Sequence, residues 1–468
     1  MNQALHGERL VRGVLPRSGR TFAWLFCLGA ATGIALFISP AGTSLVFAAT
    51  LVLVTMVAYF IEEDERSFVL ILLLVSMAAR TTLILLFSYY ELSTSVSEDV
   101  LGIGDQEFIT LWGRLYAEYA SGESQPLVHG SSIGYMMHRD YYGYSINMKL
   151  LGILYYLFGY SPIASKVFNA MLASTTGVVF YAIARQYFGR LVARFTFFLV
   201  LLWPSLVMWS ITNLKEALRI FLVGVIMLLY TRVCRNFRVA RVVVIGGLLV
   251  LLTHTLRTGL VAVLAAALLL ASFFELGMRL KVKVAILLGL ALLLLFVGPL
   301  RQATTQRLGG EVKNLINYHR GVVSTGGQIY HLYDDPRYYT SDLGALDVSA
   351  FEVLKAFARA WWHFLLEPFV WNAESLREKA VMPQNLFWYL LLPLAGLGLM
   401  CVVRIGAAGA WGFPLVLFSF ISVIALASGN VGTAFRHRDM ITPFVLLFGA
   451  AGITRLLCGL GRDEDSAG

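Results

Sequence analysis

The chain alternates between long apolar runs and short polar or basic connections, a pattern typical of polytopic membrane proteins. Most of the apolar runs hold roughly 17 to 24 residues, which as helices can cross a hydrocarbon core about 30 Å thick. Because a spanning helix satisfies its own backbone polar groups, the pattern predicts an all-α transmembrane helical bundle with about twelve spans. The predicted spans are Thr21–Ile38, Thr43–Ile61, Phe68–Tyr90, Pro162–Ala184, Phe195–Ile211, Glu216–Val233, Val242–Thr253, Leu260–Leu276, Val284–Leu300, Leu386–Val403, Trp411–Ala427 and Ile441–Leu457.

The distribution of basic residues among the connections between spans predicts the orientation of the protein in the membrane. A net charge of +9 would point to an anionic partner in a soluble protein, but here 58% of residues are hydrophobic and only 14% are charged. The basic residues concentrate in short connections such as Arg185, Arg190 and Arg194, or Arg232, Arg235, Arg238 and Arg241. By the positive-inside rule these connections and both termini are cytoplasmic. We therefore expect membrane lipids and no nucleic acid as partners, and a multi-pass location in a bacterial inner membrane.

Five regions follow from this reading. They are a three-span anchor (1–90), a first extracytoplasmic loop (91–161), a transmembrane core (162–300), a second extracytoplasmic loop (301–383), and the C-terminal spans with a short tail (384–468). Both loops are too long to be simple connectors. They contain three aromatic-rich segments that predict interfacial helices, Gln106–Ser121 with Asp105 as N-cap, Tyr144–Phe158 and Phe351–Leu366.

Carboxylates at the start of the first loop are the main candidates for chemistry. Asp105 and Glu107 could serve as a general base or as ligands of a divalent metal ion, although Asp105 could instead only cap a helix. Lys215 and Glu216 are expected on the same side of the membrane, where the sixth span begins. They could act on a substrate or simply pair at a helix start.

Basic residues on the outer side depart from the charge pattern and could bind a lipid phosphate. They could equally snorkel to the interface or pair with acidic residues. Trp361 and Trp362 could stack on a sugar, although interfacial anchoring is favoured. The basic residues are Arg139, Lys149, Arg257, Arg436 and Arg438.

The order of these features resembles the GT-C superfamily of polytopic glycosyltransferases, especially the protein O-mannosyltransferases and lipid A aminoarabinose transferases. Asp105 opens the first loop and leads into Tyr-Ala-Glu-Tyr-Ala-Ser-Gly at 116–122. Ser-Lys-Val-Phe-Asn at 165–169 starts a span, and Trp-Pro-Ser at 203–205 precedes Lys215-Glu216. The segment 436–443, Arg-His-Arg-Asp-Met-Ile-Thr-Pro, resembles the start of the family's last helix.

The resemblance implies a sugar transfer from a polyprenyl-phosphate donor to a glycan, lipid or protein acceptor on the extracytoplasmic face. It implies Asp105 as catalytic base or metal-associated group and Glu216 as the second acidic position. Lys149, Arg257 and Arg436 are then candidates for the lipid phosphate. The chain differs in having two extra spans before the one that leads to Asp105, and Asp105-Gln106-Glu107 where adjacent acidic residues are expected.

Two alternatives remain. A polysaccharide polymerase or O-antigen-ligase-like enzyme would use a lipid-diphosphate-linked glycan, and the region around Arg257 would suit it. A transporter or flippase is the non-enzymatic alternative, and the long external loops argue against it.

Overall fold

The computed structural model describes residues 48, 51–53, 57, 61–94, 104–122, 127–128, 131–132, 145–253, 258–275, 310, 313–324, 328–340, 349–372 and 376–466. Over these residues the fold is α-helical, which confirms the predicted class, and it includes one pairing of two-residue strands, β1 (Leu127–Val128) with β2 (Ser131–Ser132). The chain forms two compact units. The first comprises Met1–Arg139, Ile146–Thr175 and Val207–Ala217, and the second Asp140–Ser145, Thr176–Leu206 and Leu218–Gly468.

The described helices come in the following order along the chain. They are α1 (Glu63–Thr94), α2 (Gly104–Ser121), α3 (Ser145–Phe158), α4 (Pro162–Phe188), α5 (Arg190–Leu202), α6 (Pro204–Ser210), α7 (Glu216–Arg235), α8 (Val239–Thr253), α9 (Thr258–Glu275), α10 (Arg337–Thr340), α11 (Ala350–Leu366), α12 (Leu376–Arg404), α13 (Gly412–Ala427), α14 (Val431–Arg438) and α15 (Thr442–Ser466). Residues 313–323 are also helical.

Several helices are long and apolar enough to cross a membrane. Four pass this test in the described part of the chain, Glu63–Tyr90, Pro162–Phe188, Glu216–Arg235 and Lys379–Arg404. Two bent pairs, α5 with α6 and α14 with α15, raise the number to six if each pair is one span. These helices indicate a membrane protein.

The other predicted spans either form shorter helices or lie outside the described residues. Helices α8, α9 and α13 are apolar, but their apolar stretches hold no more than 17 residues each. The predicted spans Thr21–Ile38 and Val284–Leu300 lie outside the described residues, as does most of Thr43–Ile61. The total of twelve therefore stays a prediction.

The predicted span Phe195–Ile211 is two helices, because Trp203 and Pro204 interrupt it. Trp203 is extended, with φ −61° and ψ 121°. A residue before proline is disfavoured in the helical region, and proline has no N–H to continue the hydrogen-bond ladder. The sequence contained this signal in Trp203-Pro204.

The helices predicted in the two loops are present. Helix α2 begins at Gly104, so Asp105 lies in its first turn and is not the N-cap that the sequence suggested. Helix α11 begins after Ser349, whose side chain accepts a hydrogen bond from the backbone N–H of Glu352 at 3.2 Å. This is half of a capping box and explains why α11 starts where it does.

In the second unit, α12 and α15 approach each other at two glycines. A methyl group on Gly398 would overlap the Phe448 carbonyl oxygen, and one on Gly452 would overlap the Leu394 carbonyl oxygen. Small residues let two helix backbones come this close, which is a common way for helices to pack inside a membrane.

Candidate functional site

The first unit places the start of α2 against the segment that precedes α7. Helix α2 is held by its apolar face, on which Ile109, Trp112 and Tyr116 are buried. A side chain at Gly152 of α3 would clash with Tyr116, so the two helices pack closely at this point. The packing fixes the polar N-terminal turn of α2, where Asp105 lies.

Asn213 is the centre of a buried hydrogen-bond network that joins three parts of this unit. Its Oδ1 accepts a hydrogen bond from Ser165 Oγ at 2.6 Å, and its Nδ2 donates to Thr110 Oγ1 at 2.9 Å. Its backbone N–H donates to Gln106 Oε1 at 3.3 Å. All four residues are at most 5% exposed. The network therefore links α2, the start of α4 and the connection before α7.

Asn169 holds the same connection from the other side. Its Nδ2 donates to the carbonyl oxygens of Thr212 at 2.7 Å and of Leu214 at 2.9 Å. Residues 211–215 are not helical, so their backbone groups need partners from outside the segment. Asn169 supplies them and fixes the path of the chain into α7.

Five charged residues that the structure describes in this unit are buried, and three of them lie within three positions of a residue of this network in the sequence. Lys166 and Lys215 are each 4% exposed, and Glu216 is 1% exposed. Glu216 is the first residue of α7, where the helix dipole favours a negative charge. Burial of three ionisable side chains is costly, and such residues in membrane proteins commonly mark functional sites.

The structure joins the start of α2 to the segment just before Lys215 and Glu216. The contact runs through Gln106, the residue after Asp105, to Asn213, two residues before Lys215. The backbone of Asp105 is described, and its side chain lies outside the described residues. Glu107, the other predicted carboxylate of α2, is half-buried.

Arg80 is a charged residue that the sequence reasoning did not select. It is 1% exposed within the span Glu63–Tyr90, and its Nε donates to Ser210 Oγ at 2.8 Å. Ser210 ends α6, three residues before Asn213. The signal was available, because a lone arginine inside a long apolar helix is a functional candidate by default.

The other predicted phosphate-binding residues belong to different elements of the chain. Lys149 is half-buried in α3 of the first unit, and Arg436 is half-buried in α14 of the second. Arg139 and Arg257 lie outside the described residues. Among the side chains that are described, no three His, Cys, Asp or Glu form a group that could hold a metal ion. The side chain of Asp105 lies outside the described residues, so the metal site at Asp105 and Glu107 stays a prediction.

Arg438 makes the contacts of a structural residue. Its guanidinium donates to the carbonyl oxygens of Glu367 at 2.9 Å and of Leu365 at 3.3 Å, and to Asn385 Oδ1 at 2.8 Å. The guanidinium carbon lies 4.7 Å from the centre of the Trp388 ring. The carbonyls belong to the C-terminal end of α11, where a cation is favoured by the helix dipole. Acceptors of the protein itself therefore bind the Arg438 guanidinium, and Arg438 is not a candidate for the lipid phosphate.

The segment that begins the last helix also has a polar contact with the Trp-Pro-Ser segment in the second unit. Asp439 accepts hydrogen bonds from Ser205 Oγ at 2.8 Å and Thr442 Oγ1 at 2.9 Å. Gln384 Nε2 donates to Ser205 Oγ at 3.0 Å. Both segments were selected from the sequence, and the structure places them in contact.

Comparison with known proteins gave no matching relative. The sequence matches no protein-family model, and searches of curated proteins and of solved structures gave no match. The functional argument therefore depends on the residues of this chain and their geometry.

Proposed function

We propose that this chain is an integral-membrane glycosyltransferase of the GT-C type, which transfers a sugar from a polyprenyl-phosphate donor to an acceptor on the extracytoplasmic face. The observation that carries the proposal is the network around Asn213. It fixes the start of α2, which contains Asp105, beside the buried Lys215 and Glu216. The carboxylate of Glu216 and the ammonium group of Lys215 are buried, and charged groups held away from water are suited to acid–base chemistry and to binding a phosphate.

In the proposed reaction Asp105 accepts the proton of an acceptor hydroxyl. The hydroxyl oxygen forms a bond to the anomeric carbon while the bond from that carbon to the phosphate oxygen breaks, so the configuration inverts. Polyprenyl phosphate leaves as an anion, and Lys215, with Lys166 as a second candidate, compensates its charge. Glu216 at the start of α7 orients Lys215 or the acceptor. A divalent metal ion at Asp105 and Glu107 would supply further charge stabilisation if the enzyme binds one.

The test is release of polyprenyl phosphate from a panel of polyprenyl-phosphate sugars by the purified protein in lipid nanodiscs. Asp105→Asn should abolish release, and Lys215→Gln should lower it by about 100-fold, the usual size of the loss when one transition-state charge partner is removed. Glu118→Gln is the matched control, because Glu118 is on the same helix but pairs with Arg114 at 2.6 Å near the surface. It should keep full activity.

The outcomes separate the candidate functions. A fully active Asp105→Asn protein would remove Asp105 from the mechanism, and loss of activity with chelator would show that a metal ion is required. Release of a lipid diphosphate from lipid-diphosphate-linked glycans, with no reaction of the monophosphate donors, would support a polymerase or ligase. Substrate transport across sealed vesicles without bond cleavage would support a flippase.

We also propose the full topology of twelve spans with both termini cytoplasmic, in a bacterial inner membrane. Helix α2 then lies outside and the arginine-rich connection after α7 lies inside. A cysteine introduced as Ser121→Cys should react with a membrane-impermeant thiol reagent added to intact cells. Native Cys234 should react only after permeabilisation, and the opposite pattern would contradict the topology.

A further inference from the structure

The second unit contains a cluster of aromatic and polar residues that the proposed reaction does not use. It is built from residues 328–340, α11, the turn after α11 and residues 428–431. Tyr330 N–H donates to the Gly429 carbonyl oxygen at 3.0 Å, and Val431 N–H donates to the Gln328 carbonyl oxygen at 2.9 Å. Asp334 forms ion pairs with Lys355 and Arg359 of α11. These contacts hold the segment around Tyr330 against α11.

His363 and Glu367 form a dyad at the C-terminal end of α11. His363 Nδ1 lies 2.7 Å from Glu367 Oε1. A carboxylate only accepts hydrogen bonds, so Nδ1 carries the hydrogen of this contact. Nε2, the other ring nitrogen, accepts a hydrogen bond whenever the ring is neutral. The Tyr330 ring stacks on the imidazole, with centroids 4.3 Å apart and planes 5° apart, which fixes its orientation.

One oxygen of the Glu367 carboxylate has no donor among the described residues. Glu367 is 8% exposed, and its second oxygen, Oε2, is buried without a hydrogen-bond partner among them. A buried acceptor without a donor is unfavourable, so a donor from outside the described residues is expected.

An aromatic surface lies next to this dyad. Phe369 and Trp371 stack, with centroids 5.0 Å apart and planes at 18°, and the His363 ring lies 6.3 Å from Phe369. Trp371 is 70% exposed, which is unusual for so large an apolar side chain. The surface therefore presents flat rings beside a hydrogen-bond acceptor held in a fixed orientation.

We propose that Trp371 and Phe369, with the His363–Glu367 dyad, form a carbohydrate-binding subsite. The apolar C–H face of a pyranose ring lies on Trp371 and Phe369, and a ring hydroxyl donates to His363 Nε2. A small number of fixed polar groups beside aromatic rings is the usual composition of a small-molecule site. The identification of the ligand as a glycan rests on the proposed function.

Anchoring at the membrane interface is the competing explanation for exposed aromatic rings. A different set of residues, on α11, has the pattern expected of such an anchor. Phe351, Leu354 and Trp362 recur on one stripe of α11 and are 70%, 65% and 57% exposed. An apolar exposed stripe along a helix is typical of an interfacial face. Trp371 lies beyond the end of that helix, in the 3₁₀ turn Val370–Asn372, and stacks with Phe369 beside the dyad.

The test measures sugar binding by the full-length protein in lipid nanodiscs, without any lipid-linked donor. Saturation-transfer NMR is recorded with free hexoses, N-acetylhexosamines, uronic acids and short oligosaccharides. We expect saturable binding of at least one sugar, weakened by about tenfold or more by Trp371→Ala and by Glu367→Gln, because the first removes a ring that stacks on the sugar and the second removes the carboxylate that orients His363. Phe351→Ala removes a ring of the same exposure on the apolar stripe and should leave the affinity unchanged.

Two outcomes would overturn the proposal. One is the absence of saturable binding to every sugar in the panel, or binding that both site variants retain. The other is quenching by brominated lipids of the Trp371 fluorescence, obtained as the difference between wild type and Trp371→Phe, which would place Trp371 in the membrane. Asp105→Asn should bind sugar normally, so a failure of the proposed reaction and a failure of this subsite are distinguishable.

Discussion

Replacing Asn213 by leucine tests whether the buried network positions the candidate site. Leucine has a similar volume but lacks the amide, so the hydrogen bonds from Ser165 Oγ and to Thr110 Oγ1 are lost. Both hydroxyls have second partners, the carbonyl oxygens of Pro162 and Gln106, each at 2.8 Å. They are therefore not left unsatisfied, and the expected loss is about 2–3 kcal/mol in the free energy of unfolding.

The effect on activity should exceed the effect on stability. Because a displacement of about 1 Å can lower a rate by about 100-fold, we expect kcat to fall by that order while the donor KM changes little. Thermal unfolding and polyprenyl-phosphate release are measured on the same nanodisc preparation. The matched control is Asn236→Leu, at an exposed asparagine just after α7.

A double-mutant cycle makes the test more specific. If the bond between Asn213 and Thr110 is the coupling element, Asn213→Leu and Thr110→Val should be non-additive by about 0.5–1.5 kcal/mol. Full additivity, or an Asn213→Leu protein with wild-type stability and kcat, would refute the role given to this network.

Three further predictions concern the second unit. Gly452→Ala should lower the melting temperature markedly and cost about 3 kcal/mol, because the new methyl group meets the Leu394 carbonyl oxygen, whereas Gly396→Ala has open space and should be neutral. Arg438→Met should cost about 3–5 kcal/mol by calorimetry, since it leaves the end of α11 without its cation, and an unchanged transition would contradict the capping role. Burial lowers the pKa of His319 to about 4 from 6.5, so the folded state resists protonation. Stability should hold above about pH 6.5 and fall by about 3 kcal/mol toward pH 4, and His319→Gln should flatten this profile in pH-dependent melting.

The sequence predicted the helical class well, because long apolar runs have few alternatives once they enter a membrane. It also selected the start of α2 and the start of α7, and the structure joins α2 to the segment before α7 through Gln106 and Asn213.

Hydropathy contains no information about which buried polar groups pair across the chain. The role of Asn213 depends on contacts with residues 48 and 103 positions away, which no local pattern encodes. Arg438 illustrates the reverse case. Its position suggested a lipid phosphate, but the carbonyls at the end of α11 satisfy the same chemistry, and only the tertiary structure distinguishes the two.

The contact of Arg438 with α11 also has a consequence for biosynthesis. Helix α11 leaves the ribosome long before residue 438, so its last carbonyl groups lack this partner until α14 has been made and placed. The segment that ends at Glu367 therefore reaches its final form late in insertion. A ribosome stalled between α12 and α14 would leave that segment open to proteases, although every residue of α11 had already been translated.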